Sequence, residues 1–434
     1  MSSNQPRAHP LRALRHRNFK LFFSGQLISL IGTWMQQVAQ SWLIYRLTHS
    51  SMLLGAIGFA GQFPAFVFGP LGGHVADRYD RRRVLVITQT ASMILAFVLA
   101  GLTLTGVVRE WHLFVLATLL GVVNAFDLPV RQAFLVQMVE REDLMNAIAL
   151  NSSMFNGARV VGPAVAGLLV AAIGEGWCFF ANAVSYIAVI AGLLMMDIPR
   201  LAPQSVSSSA LANILEGFRY VATTAPIRAL LLLIALVSFA GMPYSVLMPV
   251  FADDILHRGA RGLGILMGCS GVGALIGSIM LTLRSTVRGL GRWVAVASFA
   301  FGISAVAFAF SKSFVLSAIV LVPLGASIMV QMASSNTLIQ SMVRDELRGR
   351  VMAVYSMMFV GFGPVGALIA GAAAERIGAP ITVSIGGILT ILGAVVFSLR
   401  LPALRGEARE LIIAQQAIPG EPAEQTTATG AEAT

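Results

Sequence analysis

Long apolar runs, broken at fairly regular intervals by short polar or glycine- and proline-rich stretches, fill the chain from about Phe19 to Pro402. A helix that crosses a bilayer needs roughly 20 mostly apolar residues. Twelve runs meet that need, centred near Ile31, Val67, Leu95, Leu119, Val161, Ala188, Val237, Gly271, Ala300, Pro323, Gly361 and Ile391. The alternation of a barrel strand is absent, and backbone groups in lipid must be satisfied within their own segment, so the runs predict helices. The expected fold class is an all-α membrane protein with twelve transmembrane helices.

Composition agrees, since the 434 residues are 56% hydrophobic and only 12% charged. The net charge of +10 would suit nucleic acid, but its distribution has another explanation. With the N-terminus cytoplasmic, the Lys and Arg residues fall on the cytoplasmic side except for Arg46, Arg109, Arg258, Arg261, Lys312 and Arg376 outside and Arg159 in the membrane. That is the positive-inside bias, and it predicts a multi-pass protein of a bacterial inner membrane with both termini cytoplasmic and no nucleic-acid partner. The first apolar stretch lacks a small-residue cleavage site and reads as an uncleaved span. Cys178 and Cys269 are far apart within apolar segments and have no metal-ligand spacing.

The pattern divides the chain into four parts. Residues 1–197 form a first six-helix bundle with a basic N-terminus, and residues 226–402 a second. Between them, residues 198–225 form a linker in which Leu211, Ile214, Leu215, Phe218 and Val221 recur at helical spacing, with Arg219 near the polar side. This predicts a short amphipathic helix on the cytoplasmic leaflet. Residues 403–434 turn polar and are expected to be a largely disordered cytoplasmic tail. The halves also echo each other: Val136-Gln137, Arg141-Glu142-Asp143-Leu144 and Ser153-Met154 recur as Ile339-Gln340, Arg344-Asp345-Glu346-Leu347 and Ser356-Met357 at one shared offset. Such parallel duplication is a transporter arrangement, with the site between pseudo-symmetric halves.

Between the second and third runs stand Gly73, Asp77, Arg78, Arg81, Arg82 and Arg83. With Asn18-Phe19, Gln40-Ser41-Trp42, residues 126–132 and Gly162-Pro163, they make the chain resemble a major facilitator superfamily transporter, in the branch of the enterobactin exporter and macrolide-efflux proteins. Asp80 departs from the pattern, which has glycine there. The resemblance implies that Asp77, at the C-terminal end of its helix where a carboxylate opposes the dipole, latches onto the start of the eleventh helix near Gly349-Arg350. It also implies that Gly73 lets neighbouring helices approach, and that the first, fourth, seventh and tenth helices surround a central cavity. The second half's equivalent loop, residues 283–292, has no acidic residue, so the expected latch is one-sided.

Charges inside spans are few and therefore informative. Asn124, Asp127 and Arg131 share one helix face; Ser152, Asn156 and Arg159 share another. Asp127 is the candidate proton-responsive group, with Arg159 and Asn156 as candidate coupling partners, or else Asp127 is a fixed polar contact within the first bundle. Cavity candidates lie on polar stripes: Gln26, Thr33, Gln37 and Gln40 on the first span, Asn124 on the fourth, Ser245 on the seventh, Gln331 and Ser334 on the tenth. Gly162, Pro163 and Gly167 bracket a stretch resembling an exporter-associated helix motif and suit close packing.

The histidines form no metal-ligand pattern, and Asp253 and Asp254 read as a solvated external pair. No triad, paired carboxylates or phosphate loop appears, so enzyme activity, cofactors and a metal are not expected. The expected function is secondary active export of a hydrophobic or amphipathic small molecule (drug, macrolide or siderophore type), coupled to protons and embedded in membrane lipid. Uptake or facilitated transport of a metabolite or lipid, and a non-transporting membrane receptor or scaffold, are the alternatives.

Overall fold

A computed structural model describes residues 11–198, 210–284 and 289–416. A short 3-10 turn, Arg12–Arg15, leads into α1 (Arg17–Thr48), followed by α2 (Ser51–Arg78), α3 (Arg81–Leu104), α4 (Glu110–Leu135), α5 (Leu144–Ile173) and α6 (Glu175–Met195). After α7 (Ala210–Thr223) come α8 (Ala225–Ile255), α9 (Gly259–Thr282), α10 (Leu290–Phe310), α11 (Phe314–Met342), α12 (Asp345–Ile377) and α13 (Ala379–Gln416). Among the described residues there is no strand, and 11 helices are long and apolar enough to cross a membrane. Helix α1 has the length but falls short on apolarity, because residues such as Gln26, Gln36, Gln37 and Gln40 interrupt its run.

The breaks inside α8 and α12 follow from local chemistry. Proline removes the donor for the carbonyl four residues earlier. Pro364 follows a π turn at Met357–Gly361, and Pro243 follows one at Val237–Gly241. Both helices continue through the defect.

Packing is mostly within each half of the chain. Helix α1 packs on α5 and α6, α3 on α4 and α6, and α2 on α4; in the second half α11 packs on α9 and α10, and α13 on α10 and α8. Two long seams join the halves, α5 with α9 and α2 with α12. Both depend on small residues. A Cβ on Gly167 would sit 2.9 Å from the Cα of Gly264, and one on Gly371 2.9 Å from the Cα of Gly55. At such contacts backbone meets backbone, which maximises dispersion and needs no side-chain ordering.

One expectation is extended and another corrected here. The linker helix forms where its periodicity predicts, and one side of it packs on protein. Val221 is buried, Phe218 is half-buried against the core, and Glu216 pairs with Arg350 of α12 at 2.5 Å. The helical chain also does not end at residue 402: α13 runs through Pro402 to Gln416. Leu401, Leu404, Ala408, Leu411 and Ile412 recur on one face of that extension and pack against the core. The remainder of the expected tail, residues 417–434, lies outside the described residues, as do residues 199–209 of the linker.

Close packing gives a direct stability test. At Gly325 an added Cβ would overlap the Ser270 carbonyl of α9, whereas at Gly349 it would meet nothing within 4 Å. Gly325→Ala is expected to destabilise the second half by about 1–3 kcal/mol, the usual range for overpacking. Gly349→Ala should leave the detergent-solubilised melting temperature unchanged or slightly raised.

Candidate functional site

The halves meet tightly at the end of the molecule opposite the arginine cluster. Here Tyr45 Oη of α1 donates a hydrogen bond to Asp254 of α8. Glu375, near the end of α12, accepts from Ser50 Oγ at 3.2 Å and from Met52 N at 3.1 Å, so a carboxylate from one half caps the first turn of α2 in the other. Arg46 forks onto Glu175, with Nε at 2.8 Å and Nη2 at 3.3 Å, tying α1 to α6. The fold also brings His49 beside Asp253 and Asp254, with ligand atoms within 4.8 Å of one another, a juxtaposition that sequence spacing does not foretell. Asp254 is therefore an inter-half contact rather than a purely solvated residue.

From the sealed end the two seams extend to mid-helix. On the α5–α9 seam it passes from Gly167–Gly264 to Gly271, whose Cβ would lie 3.0 Å from the Arg159 carbonyl. On the α2–α12 seam it passes from Gly55–Gly371 to Phe66 against Gly361. Nearer the arginine end Gly69, Gly73 and Gly157 have nothing within 4 Å of an added Cβ, as do Gly268 and Gly363 within the seams.

The signature loop divides into parts with different work. Arg81 donates to the carbonyls of Ala76 at 2.9 Å and Ala133 at 3.1 Å, and Arg82 to those of Leu193 at 2.6 Å and Leu194 at 2.5 Å. These guanidiniums satisfy orphan carbonyls at the C-terminal ends of α2, α4 and α6. Asp80 accepts from Arg83 N at 3.0 Å and N-caps α3, which accounts for an aspartate where the pattern has glycine. Asp77 is exposed and, among the described residues, makes no hydrogen bond or ion pair; the side chains of Arg78 and Arg83 likewise find no partner. The close approach expected of Gly73 belongs to its neighbour. Gly72 faces α4, where a Cβ would overlap Ala125 O, while Gly73 faces open space.

Asp127 is buried and fully engaged. Arg131, one turn on, reaches it at 2.8 Å; Thr88 Oγ1 donates at 2.8 Å and Gln89 Nε2 at 2.7 Å, both from α3. A direct pair with Arg159 is not formed, because Arg131 on the same helix occupies that role. Thr88 and Gln89 are partners that the sequence reading missed, although two polar residues inside the apolar α3 run were a usable signal. A second missed network joins α1 to α6, with Asn182 Nδ2 donating to Gln36 Oε1 at 2.6 Å.

The polar stripes separate on folding. Gln37 and Thr33 are exposed and Gln40, Asn124 and Ser245 half-buried. Gln26, Gln331 and Ser334 are buried instead, with side-chain atoms that have no protein partner, so the structure does not place them on an open surface. Gly162 packs on α1 beside Ile31 and Trp34, while the Pro163 carbonyl and Gly167 face Gly264. Asn156 donates to Ser152 O at 2.9 Å within its own helix.

The Asp127 cluster makes a measurable demand. Removing one partner of a buried ion pair costs about 3–5 kcal/mol because the other charge is stranded. Asp127→Ala and Arg131→Ala are each expected to lower the melting temperature strongly. The double variant should lose less than their sum, a non-additivity read from a double-mutant cycle.

Comparison with known proteins gives this geometry a context. The family model described as transmembrane secretion effector matches residues 8–428. The staphyloferrin A transporter of Staphylococcus aureus is 27% identical over 381 residues, covering 87% of this chain and 95% of that one. Macrolide efflux protein A of Streptococcus pyogenes is 26% identical over 399 residues, covering 88% and 96%. The enterobactin exporter EntS of Shigella boydii is 26% identical over 373 residues, covering 82% and 85%. Among solved structures, the nucleoside transporter NupG superposes with a TM-score of 0.64 at 17% identity, over 91% of this chain and 98% of that one. A POT family transporter bound to a thioalcohol-conjugated peptide superposes with a TM-score of 0.71 at 10% identity, over 91% and 100%. These structures share the fold. The match along nearly the whole chain, with relatives that are transporters and not enzymes, assigns the protein to the transmembrane secretion effector family, in the efflux branch of the major facilitator superfamily.

Proposed function

We propose that the chain exports a hydrophobic or amphipathic small molecule by alternating access of two six-helix halves, driven by the proton gradient. Helices α1–α6 form one half and α8–α13 the other, with α1 as the twelfth span. Gln37 and Gln40 of α1, exposed and half-buried, face the transport path rather than lipid. The arginine end lies in the cytoplasm, and both termini with it.

One observation carries the reading: the polar contacts from Tyr45 to Asp254 and from Glu375 to the start of α2 tie the halves at one end, while Asp77 at the other end has no partner among the described residues. Two rigid halves hinged on small-residue seams have a natural alternative, closed at the basic end and open at the other. The described state then faces the cytoplasm. In the alternative state Asp77 caps the start of α12, a dipole contact worth about 0.3–1 kcal/mol when exposed and up to ~2 kcal/mol when partly buried. That biases two states without locking either. Arg350 at that helix start is held by Glu216 of α7 in the described state, so α7 and Asp77 act on the same turn. The relatives' names as a siderophore exporter and a macrolide efflux protein support the direction of transport.

Spin labels at Thr105 and Lys312, both exposed beyond the sealed end, report its opening. Tyr45→Phe is expected to increase the population of long label distances, and Asp77→Asn to reduce it. Distributions identical to wild type in both variants would remove the two-state reading. Everted vesicles should accumulate an amphipathic probe such as dansyl-aminoundecanoate only while a pH gradient is maintained, and collapsing the gradient should abolish accumulation.

A further inference from the structure

Arg159 is a guanidinium in the middle of a membrane-spanning helix, about halfway along α5. Among the described residues its side chain has no hydrogen bond, ion pair or ring contact. The other ionised pair within these spans, Asp127 with Arg131, is closed on itself and supplies nothing to it. An intramembrane cation without a partner is expensive to maintain, and its presence points to a charge that arrives from elsewhere.

Its position says what kind. Arg159 lies on the α5–α9 seam: its own carbonyl packs on Gly271 of the other half. Gly271, on which that carbonyl packs, directly follows Ser270 on α9. The Tyr244 hydroxyl is 3.0 Å from Ser270 Oγ of α9, and its ring stands edge-on to Phe301. A fixed positive fork from one half thus lies near two hydroxyls of the other, with aromatic surface behind them. On the Arg159 side, Trp34 and Phe155 form a second aromatic pair, with centroids 5.7 Å apart.

We propose that Arg159 is the substrate's anion site: the exported molecule is an amphiphile bearing a carboxylate, bound by the Arg159 guanidinium and the Tyr244–Ser270 hydroxyls at the junction of the halves. The inference rests on the transport reading and narrows it. A planar guanidinium matches a carboxylate in two parallel charge-assisted bonds, which a neutral drug does not offer. Because the anion touches both halves, its binding energy depends on how they are disposed, which is the differential interaction that lets a ligand shift a conformational equilibrium.

The test uses the full chain in detergent and two fluorescent probes that differ only in charge, dansyl-aminoundecanoate and its methyl ester. Wild-type protein should bind the carboxylate at least about tenfold more tightly than the ester, the scale of a charge-assisted hydrogen bond. Arg159→Gln should erase that preference and leave ester affinity unchanged, whereas Arg159→Lys should keep part of it. Tyr244→Phe offers a second route if the arginine variants do not fold, with an expected loss of a few-fold for the carboxylate alone. Equal wild-type affinities, or an Arg159→Gln loss shared by both probes, would overturn the anion site. Proteoliposomes separate the two proposals. Selective binding of the carboxylate without transport of either probe sinks the exporter reading and keeps the site. Transport of both probes without charge preference does the reverse.

Discussion

The structure depends on backbone-to-backbone contact at two pairs of glycines, Gly167 with Gly264 and Gly55 with Gly371. In a bilayer the hydrophobic effect does little to press one helix against another, so association rests on packing and polar contacts. Glycine seams supply packing over a short length and leave the rest of each helix free to diverge. They bring Tyr45 to Asp254 and Glu375 to the first turn of α2, and they continue to Arg159 and Phe66 at mid-helix. Larger residues at these places would hold the halves apart and undo the polar seal.

Charge is handled by the same economy. At the basic end Arg81 and Arg82 bond the carbonyls that end α2, α4 and α6, so these arginines act as helix caps. The two halves treat their equivalent helix starts alike. Asp143, at the N-terminal boundary of α5, is gripped by Arg12 at 2.5 Å and His16 at 2.7 Å from the segment before α1. The corresponding start of α12 is gripped by α7, through Glu216 and Arg350. In each case a segment that precedes the spans is tied by an ion pair to the first turns of a later helix.

Much of the fold was legible because lipid imposes strong constraints. Apolar run length located every span centre within a helix, and the periodicity of residues 211–221 marked α7. The site was less legible. Proximity in sequence put Gly73 where Gly72 does the packing, because one residue turns a helix by about 100° and the two glycines face different neighbours. A stripe count assigned Gln26, Gln331 and Ser334 to an open path, but the same polar residues lie buried at helix contacts. The extension of α13 past Pro402 was also missed; its apolar positions are sparse, and their single face is visible only once something packs against it.

What the sequence determined by itself is what a single segment can encode: the helical, membrane-spanning character of the apolar runs, where they lie, and the rarity of ions within them. Each of these follows from a residue's own transfer between water and lipid. Which of those ions are satisfied was decided by tertiary structure alone. Asp127 found Thr88, Gln89 and Arg131, while Arg159, equally conspicuous in the sequence, found no partner among the described residues. Pairing is a property of two or more helices brought to a fixed distance and rotation, and no one-dimensional pattern carries that information.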